Sequence, residues 1–326
     1  MMRHAAIIGT GSYLPENIMT NDDLTGLVET NDEWILSRTG ISERRISTGE
    51  NTSDLAYRAA KRALERAALE PKDLDMIICA TITPDSFMPS TACIIQDKLK
   101  AEKAAAFDLT AACTGLIYAM VTAEQFIRSG MYRNILVVGA ETISRILDWE
   151  DRATCVLFGD GAGAVVLSAS EHKKGILASN LVSDGSKQSM LTCPAIPLRN
   201  PYVKAGEAMH RSRIEMQGQE VFKFAVRTIT DNIKTVLKKA GLTSENIKYV
   251  IPHQANKRII EQAAKFCDLP PEKFYMNLNR YGNTSAASIG IALDELIQHN
   301  GLQSGDKLIL VGFGGGMTSG AVLVEV

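Results

Sequence analysis

Three residue types that serve acyl-transfer chemistry stand far apart in this 326-residue chain, at Cys113, His253 and Asn283. Cys113 lies in Phe107-Asp-Leu-Thr-Ala-Ala-Cys-Thr-Gly-Leu-Ile-Tyr-Ala-Met120. There a short strand-like run ends at Thr110 and an apolar helical run through Leu116, Ile117, Met120 and Val121 begins at the cysteine. A helix N-terminus offers unpaired amides and the positive end of the dipole, which favour the thiolate that a cysteine nucleophile needs. The other reading is a small core cysteine, since free Cys is among the most buried residue types. His253 closes the apolar run Ile247-Lys-Tyr-Val-Ile-Pro252, and Gln254 to Arg258 opens a helix after it. The remaining histidines, His4, His172, His210 and His299, fall near the terminus or in polar, loop-like or helix-end contexts.

The elements that must position these residues belong to a globular chain with a formal net charge of -2, which gives no electrostatic case for nucleic acid. The start is too short in apolar residues for a signal peptide, and no run of about 18 apolar residues marks a membrane span. A cytoplasmic protein is expected. The cysteines Cys79, Cys93, Cys113, Cys155, Cys193 and Cys267 include no C-x-x-C pair, so neither a zinc site nor a disulfide framework is expected.

Ala5 to Gly11 predicts a strand entering a turn. Gly9-x-Gly11 is no dinucleotide fingerprint, because position 14 is Leu and no amphipathic helix follows. A helix over 53–69 leads through Pro71 into a strand over 74–80. The same grammar returns where Thr235 to Leu242 leads into Ile247 to His253. Leu64 pairs with Leu237, Leu74 with Ile247, and Leu136-Val-Val-Gly139 with Ile309-Leu-Val-Gly312, each 173 residues apart. A register held over about 75 positions points to duplication. Each half is expected to read strand, helix, strand, strand, long helix, strand, strand, with halves 1–172 and 173–326. Phe158-Gly-Asp-Gly-Ala-Gly and Phe313-Gly-Gly-Gly-Met close the halves and lack the Gly-Lys-Ser/Thr of a phosphate loop. Close backbone approach with free amides is their expected role. Residues 184–212 carry Pro194, Pro197 and Pro201 with little periodicity, as a lid would.

At this offset Thr110 maps to Asn283 and Cys113 to Ala286. Corresponding turns of two halves related by a pseudo-twofold axis face each other, so Cys113, Asn283 and the strand end at His253 are expected to converge. Trp34, in Asn31 to Arg45 with Arg38 nearby, is either a half-buried core anchor or a face for an adenine ring with arginines for phosphates.

Ala112-Cys-Thr-Gly, Pro252-His-Gln-Ala-Asn-Lys-Arg258, Gly282-Asn-Thr-Ser-Ala and Gly312-Phe-Gly-Gly-Gly316, with Asp32-Glu-Trp-Ile, Arg38-Thr-Gly-Ile and Asp151-Arg-Ala-Thr, together resemble β-ketoacyl-acyl carrier protein synthase III. The resemblance covers essentially the whole chain and implies an α/β thiolase-like fold of two mixed-sheet halves in α-β-α-β-α layers. It implies that Cys113 takes an acyl group from acyl-CoA. Malonyl-acyl carrier protein then loses CO2 while His253 and Asn283 stabilise the enolate. It further implies an oxyanion hole from the amides of Cys113 and Gly316. Trp34, Arg38, Arg152 and Asn256 would meet CoA, with Trp34 and Arg152 sandwiching the adenine. Gln254, Ala255, Asn256, Lys257 and Arg258 would receive the carrier protein. Phe87 would cap a short acyl pocket, acetyl or small branched, across a homodimer. No metal or other cofactor is expected.

Competing readings share parts of this set. A biosynthetic thiolase would need a second Cys in 312–320, hydroxymethylglutaryl-CoA synthase a Glu near Ala80, and elongating condensing enzymes a His at Asn283. A polyketide-type starter enzyme shares Cys, His and Asn but carries Pro where Gly315 stands. A thioester hydrolase would use the same nucleophile and release free acid.

Overall fold

The computed structural model describes residues 3–172, 174–198, 200–203, 212–299 and 301–326. The first sheet is built from β1 (His4–Tyr13), β2 (Met76–Ala80), β3 (Ala105–Leu109), β4 (Asn134–Glu141) and β5 (Gly161–Ser170), in the order β1-β5-β4-β2-β3. The second contains β6 (Gly175–Ser183), β7 (Tyr249–Pro252), β8 (Lys307–Gly314) and β9 (Thr318–Glu325), in the order β7-β8-β9-β6. Read from the opposite edge, the second order repeats the first. In each sheet a parallel pair (β2 with β4, β7 with β8) continues into an antiparallel hairpin. Of the helices, α1 is Asp32–Thr39, α2 Thr52–Ala67, α3 Thr91–Leu99, α4 Gly115–Arg128, α5 Gly218–Ala240, α6 Lys257–Phe266 and α7 Ser288–His299.

The 173-residue offset survives in three dimensions. The starts of β2 and β7, of α4 and α7, and of β4 and β8 are each 173 residues apart. So are Ala112 and Ser285, two non-glycine residues at φ 46 and 49. The central helices α4 and α7 lie between the sheets, and Leu116, Ile117 and Met120 of one join Ile289, Ala292 and Leu293 of the other in a single buried cluster. Burying side chains of this size contributes about 1.5–3 kcal/mol each. The duplication thereby sets the two helix starts, and the turns before them, side by side.

Three boundaries differ from expectation. Strand β1 runs on to Tyr13 instead of turning after Gly11, because a Cβ on Gly9 or Gly11 would sit 2.3 Å from a carbonyl of α2. The glycines let that helix lie directly on the strand. The second half's counterpart of β3 shrinks to one bridge, Val250 with Phe274; Pro270 and Pro271 just before it cannot donate to a ladder. In the expected lid, Leu191–Thr192 pairs with Glu215–Met216, while residues 199 and 204–211 lie outside the described residues.

Candidate active site

Cys113 sits in the single turn Ala112–Thr114, and α4 begins two residues later at Gly115. The turn before α7 faces it. Its Ser285 borders the same cavity as Cys113, with a side chain that favours the thiolate, and the Ser285 hydroxyl lies 3.1 Å from Glu141 Oε1. The Ser285 amide donates to Asn283 Oδ1 at 2.9 Å. Asn283 is thus tied to a serine that borders the cavity beside Cys113, held at a positive φ that costs a non-glycine residue about 1–2 kcal/mol.

His253 follows β7, and its amide donates to the Val311 carbonyl at 2.8 Å. Its Nδ1 lies 2.7 Å from the hydroxyl of Ser288, the first residue of α7, and its ring meets Phe313 edge-on at 5.3 Å. The Ser288 oxygen also accepts the Gln254 amide at 3.4 Å. With the serine's own proton on Nδ1, the imidazole hydrogen stands on Nε2, the tautomer that a donor role requires. Burial pushes the His253 pKa down to about 3, so the ring is a neutral donor.

Burial pushes the Cys113 thiol up to about 12, against the lowering effect of the Ser285 hydrogen bond. Three units correspond to about 4 kcal/mol. A helix N-terminus supplies at most about 2 kcal/mol. Burial thus opposes the helix start that was expected to favour the thiolate, and the thiol form is the one it favours.

The glycine loop after β8 lies against this turn. A Cβ on Gly314 would come within 2.7 Å of the Cys113 amide nitrogen, so only glycine lets the two backbones approach. Gly316 adopts φ 117, open to glycine alone. Cys113, Ser285, Gly315 and Gly316 border a cavity of about 720 Å³ whose walls include Ile82, Ile143, Ile146, Phe158, Leu191 and Ile214. His253 and Asn283 are 1 % and 6 % exposed and do not border this cavity. Phe87 borders the same cavity yet is 79 % exposed.

On the outer surface the Arg152 guanidinium lies 4.8 Å from the centre of the Trp34 ring and also donates to the Glu29 carbonyl. A purine between two stacked groups needs about 7 Å, twice an ordinary carbon contact. The expected sandwich is therefore closed here, and Arg152 has to swing away to admit a ring. Arg38 is exposed, and its carbonyl accepts from Asn256 Nδ2 at 3.0 Å, tying α1 to the start of α6. Asn256 Oδ1 also caps α6 through the Arg258 amide.

The expected carrier-protein set divides. Lys257 and Arg258 are exposed and Ala255 is half-buried. Gln254 is 1 % exposed, donates to the carbonyls of Pro252 and Tyr275 and accepts from the Asn277 amide. That removes it from any docking surface; it fixes the strand end that carries His253.

Ser285, Ser288 and Glu141 were not singled out from the sequence. Ser285 had a signal, because the 173-residue offset pairs it with Ala112 beside the nucleophile. Glu141 had a weaker one, as a carboxylate ending the apolar run Ile135 to Ala140. All six cysteines are free. No helix among the described residues is long and apolar enough to cross a membrane.

Family models described as 3-oxoacyl-[acyl-carrier-protein (ACP)] synthase III and its C-terminal part match residues 107–185 and 237–326. The β-ketoacyl-[acyl-carrier-protein] synthase III of Clostridium novyi (strain NT) is 53 % identical over 324 residues, 99 % of each chain. The crystal structure of the Aquifex aeolicus VF5 3-oxoacyl-[acyl-carrier-protein] synthase III superposes with a TM-score of 0.92 at 49 % identity, over 99 % of this chain and 100 % of that one. The priming β-ketosynthase of the R1128 polyketide pathway reaches 0.93 at 31 % identity, over 100 % and 97 %. The facing turns, the glycine loop and the sheet order thus belong to a shared architecture, and the chain is a member of the β-ketoacyl-acyl carrier protein synthase III family.

Proposed function

We propose that Cys113 accepts a short acyl group from acyl-CoA and passes it to the enolate of malonyl-acyl carrier protein. Membership of the family makes the chain a condensing acyltransferase that initiates fatty acid biosynthesis; the residues and the primer are the proposal. The observation that carries it is the thiol at the floor of an apolar cavity, with the glycine loop laid against its own amide.

In this reading the sulfur attacks the thioester carbonyl, and the amides of Cys113 and Gly316 hold the tetrahedral oxyanion. CoA leaves. Malonyl-acyl carrier protein then loses CO2, while His253 Nε2–H and the Asn283 side-chain amide donate to its thioester carbonyl. A neutral imidazole suits this, since it donates without giving up its proton. The enolate carbon attacks the acyl-Cys113 carbonyl and releases the sulfur. The first half, 1–172, supplies the nucleophile, and the second, 173–326, supplies the two donors.

Trp34, Arg38, Arg152 and Asn256 form the CoA entrance in this reading, and Lys257 and Arg258 meet the acidic carrier. Phe87 and Met88, 79 % and 85 % exposed, are an apolar loop suited to capping a partner's acyl pocket in a homodimer, which favours acetyl or small branched primers. The reactants are water-soluble thioesters, consistent with a cytoplasmic enzyme. Incubation with malonyl-acyl carrier protein and a panel of acetyl-, isobutyryl- and hexanoyl-CoA tests the reading. A β-ketoacyl-carrier product, greatest with the short primers, is expected; free carboxylic acid as the main product would make the protein a hydrolase.

A further inference from the structure

Glu141 ends β4 and is fully buried, yet it carries no partner cation: none of the described hydrogen bonds or ion pairs to it comes from Lys or Arg. Its Oε2 accepts from the Thr81 hydroxyl at 3.0 Å, the amides of Ile82 and Thr83 at 3.1 Å each, and the Thr83 hydroxyl at 2.6 Å. The Thr83 oxygen itself accepts the Thr142 amide at 2.9 Å, and the Thr81 oxygen accepts the Thr83 amide at 3.0 Å. Both hydroxyl protons are therefore directed at the carboxylate. The other oxygen, Oε1, accepts the Ile82 amide at 3.3 Å and faces the Ser285 hydroxyl at 3.1 Å.

Ser285 is the hinge of this arrangement. Its hydroxyl donates to Glu141 at 3.1 Å, its amide is anchored on Asn283, and it borders the cavity beside Cys113, so the left-handed backbone sets the oxygen on the side of the carboxylate that faces the thiol's turn. A hydroxyl can donate to one neighbour and accept from the other at the same time. That is the geometry of a one-step relay.

We propose that the Cys113 thiol is deprotonated through the Ser285 hydroxyl to Glu141. The Cys113 S–H bond breaks as its proton passes to the Ser285 oxygen. The serine's own proton passes to Glu141 Oε1, and the sulfur keeps the electron pair that attacks the acyl-CoA carbonyl. When the C–S bond to CoA breaks, the proton held on Glu141 returns by the same route to the departing CoA sulfur. After condensation the Cys113 thiolate takes its proton from the medium, which balances the one proton that decarboxylative condensation consumes.

Two considerations favour Glu141 over His253 as the acceptor. The relay moves one negative charge between two buried sites instead of creating a second buried ion, which is the costly alternative. In addition, burial raises Glu141 to about 7 while His253 is pushed down to about 3, so the carboxylate is the stronger base. The titratable groups that feel its charge are the Cys79 thiol from β2 and the Cys113 thiol from the nucleophile turn. Residues 81–84, 161–170 and 285–287 contain no ionisable side chain. In the relay Ser285 is the residue that meets the reacting sulfur, and Glu141 acts only through it.

The inference rests on Cys113 being the acylated residue, and its test separates the two claims. Peptide-mapped alkylation by iodoacetamide is followed from pH 5 to 10 in the wild type, Ser285→Ala and Glu141→Gln. The wild-type rate at Cys113 should rise through an inflection near pH 7, where Glu141 ionises. Both variants should lose that inflection, follow only thiol ionisation at higher pH, and acylate from acetyl-CoA about 100-fold more slowly near pH 8. Ser285→Ala retains the contacts of Glu141 to residues 81–83, so it stays informative if Glu141→Gln fails to fold. A Ser285→Ala profile that superimposes on the wild type overturns the relay and leaves Cys113 as nucleophile. Cys93 and Cys193 are exposed and will also alkylate; acetyl-CoA that acylates a cysteine other than Cys113 overturns both.

Discussion

His253 Nδ1 and the Ser288 hydroxyl are 2.7 Å apart, across the junction between the end of β7 and the first turn of α7. In the proposed mechanism this contact selects the imidazole nitrogen that carries hydrogen, and with it the donation from the ring to the malonyl thioester. In Ser288→Ala the tautomer is no longer held. Decarboxylation of malonyl-acyl carrier protein is expected to fall about 10-fold, while the rate of Cys113 acylation stays within about twofold; pre-steady-state measurement of the two half-reactions distinguishes them.

Burial of His253 also carries a pH signature. Its folded pKa is about 3 and its ordinary value 6.5. Between these the unfolded state binds the proton that the folded state refuses, so this group's contribution to stability falls as pH drops below 6.5. At pH 5 the loss is about 2 kcal/mol. Urea unfolding of His253→Asn should show that much less loss between pH 7 and 5 than the wild type. Equal losses would mean that the ring titrates near its ordinary value in the folded protein.

At the proposed CoA entrance the closed stack of Trp34 and Arg152 sets ligand binding in competition with an existing contact. Trp34→Ala is expected to raise the KM for acyl-CoA about 10-fold by removing the stacking face. Arg152→Ala should change it less, because loss of a ligand contact is partly offset by an entrance already open. Initial-rate kinetics with saturating malonyl-acyl carrier protein measures both.

Arg258 and Gln254, four positions apart, are expected to fail in different ways. Arg258→Glu should raise the KM for malonyl-acyl carrier protein at least 10-fold and flatten or reverse its rise with salt, with acyl-CoA kinetics unchanged. Gln254→Ala strips three buried hydrogen bonds beside His253. It should destabilise the fold by about 2–3 kcal/mol and lower kcat without altering carrier affinity. Thermal unfolding with carrier titration separates the two.

Much of this site was legible because the duplication is legible. The match of Leu136 to Gly139 with Ile309 to Gly312 sets the Cys113 turn opposite the Asn283 turn, and Ala112 and Ser285, 173 residues apart, share the same left-handed backbone. Burial was not legible. A cysteine at a helix start reads as activated, whereas the packed interior around Cys113 reverses the sign of its pKa shift. Gln254 likewise reads as surface, since it opens a polar helical stretch; its burial depends on Tyr275 and Asn277, which no local pattern brings to it. Glu141 was missed because a charged residue at a strand end ordinarily marks the exit to solvent, and here the strand ends inside the molecule.

Peptide mass spectrometry after brief exposure to acetyl-CoA tests the central claim most directly. A hydroxylamine-labile acetyl group on Cys113, discharged by malonyl-acyl carrier protein into a β-ketoacyl-carrier product, is the expected result. Acetyl on a different cysteine, or an unlabelled protein that still forms the condensation product, would contradict it.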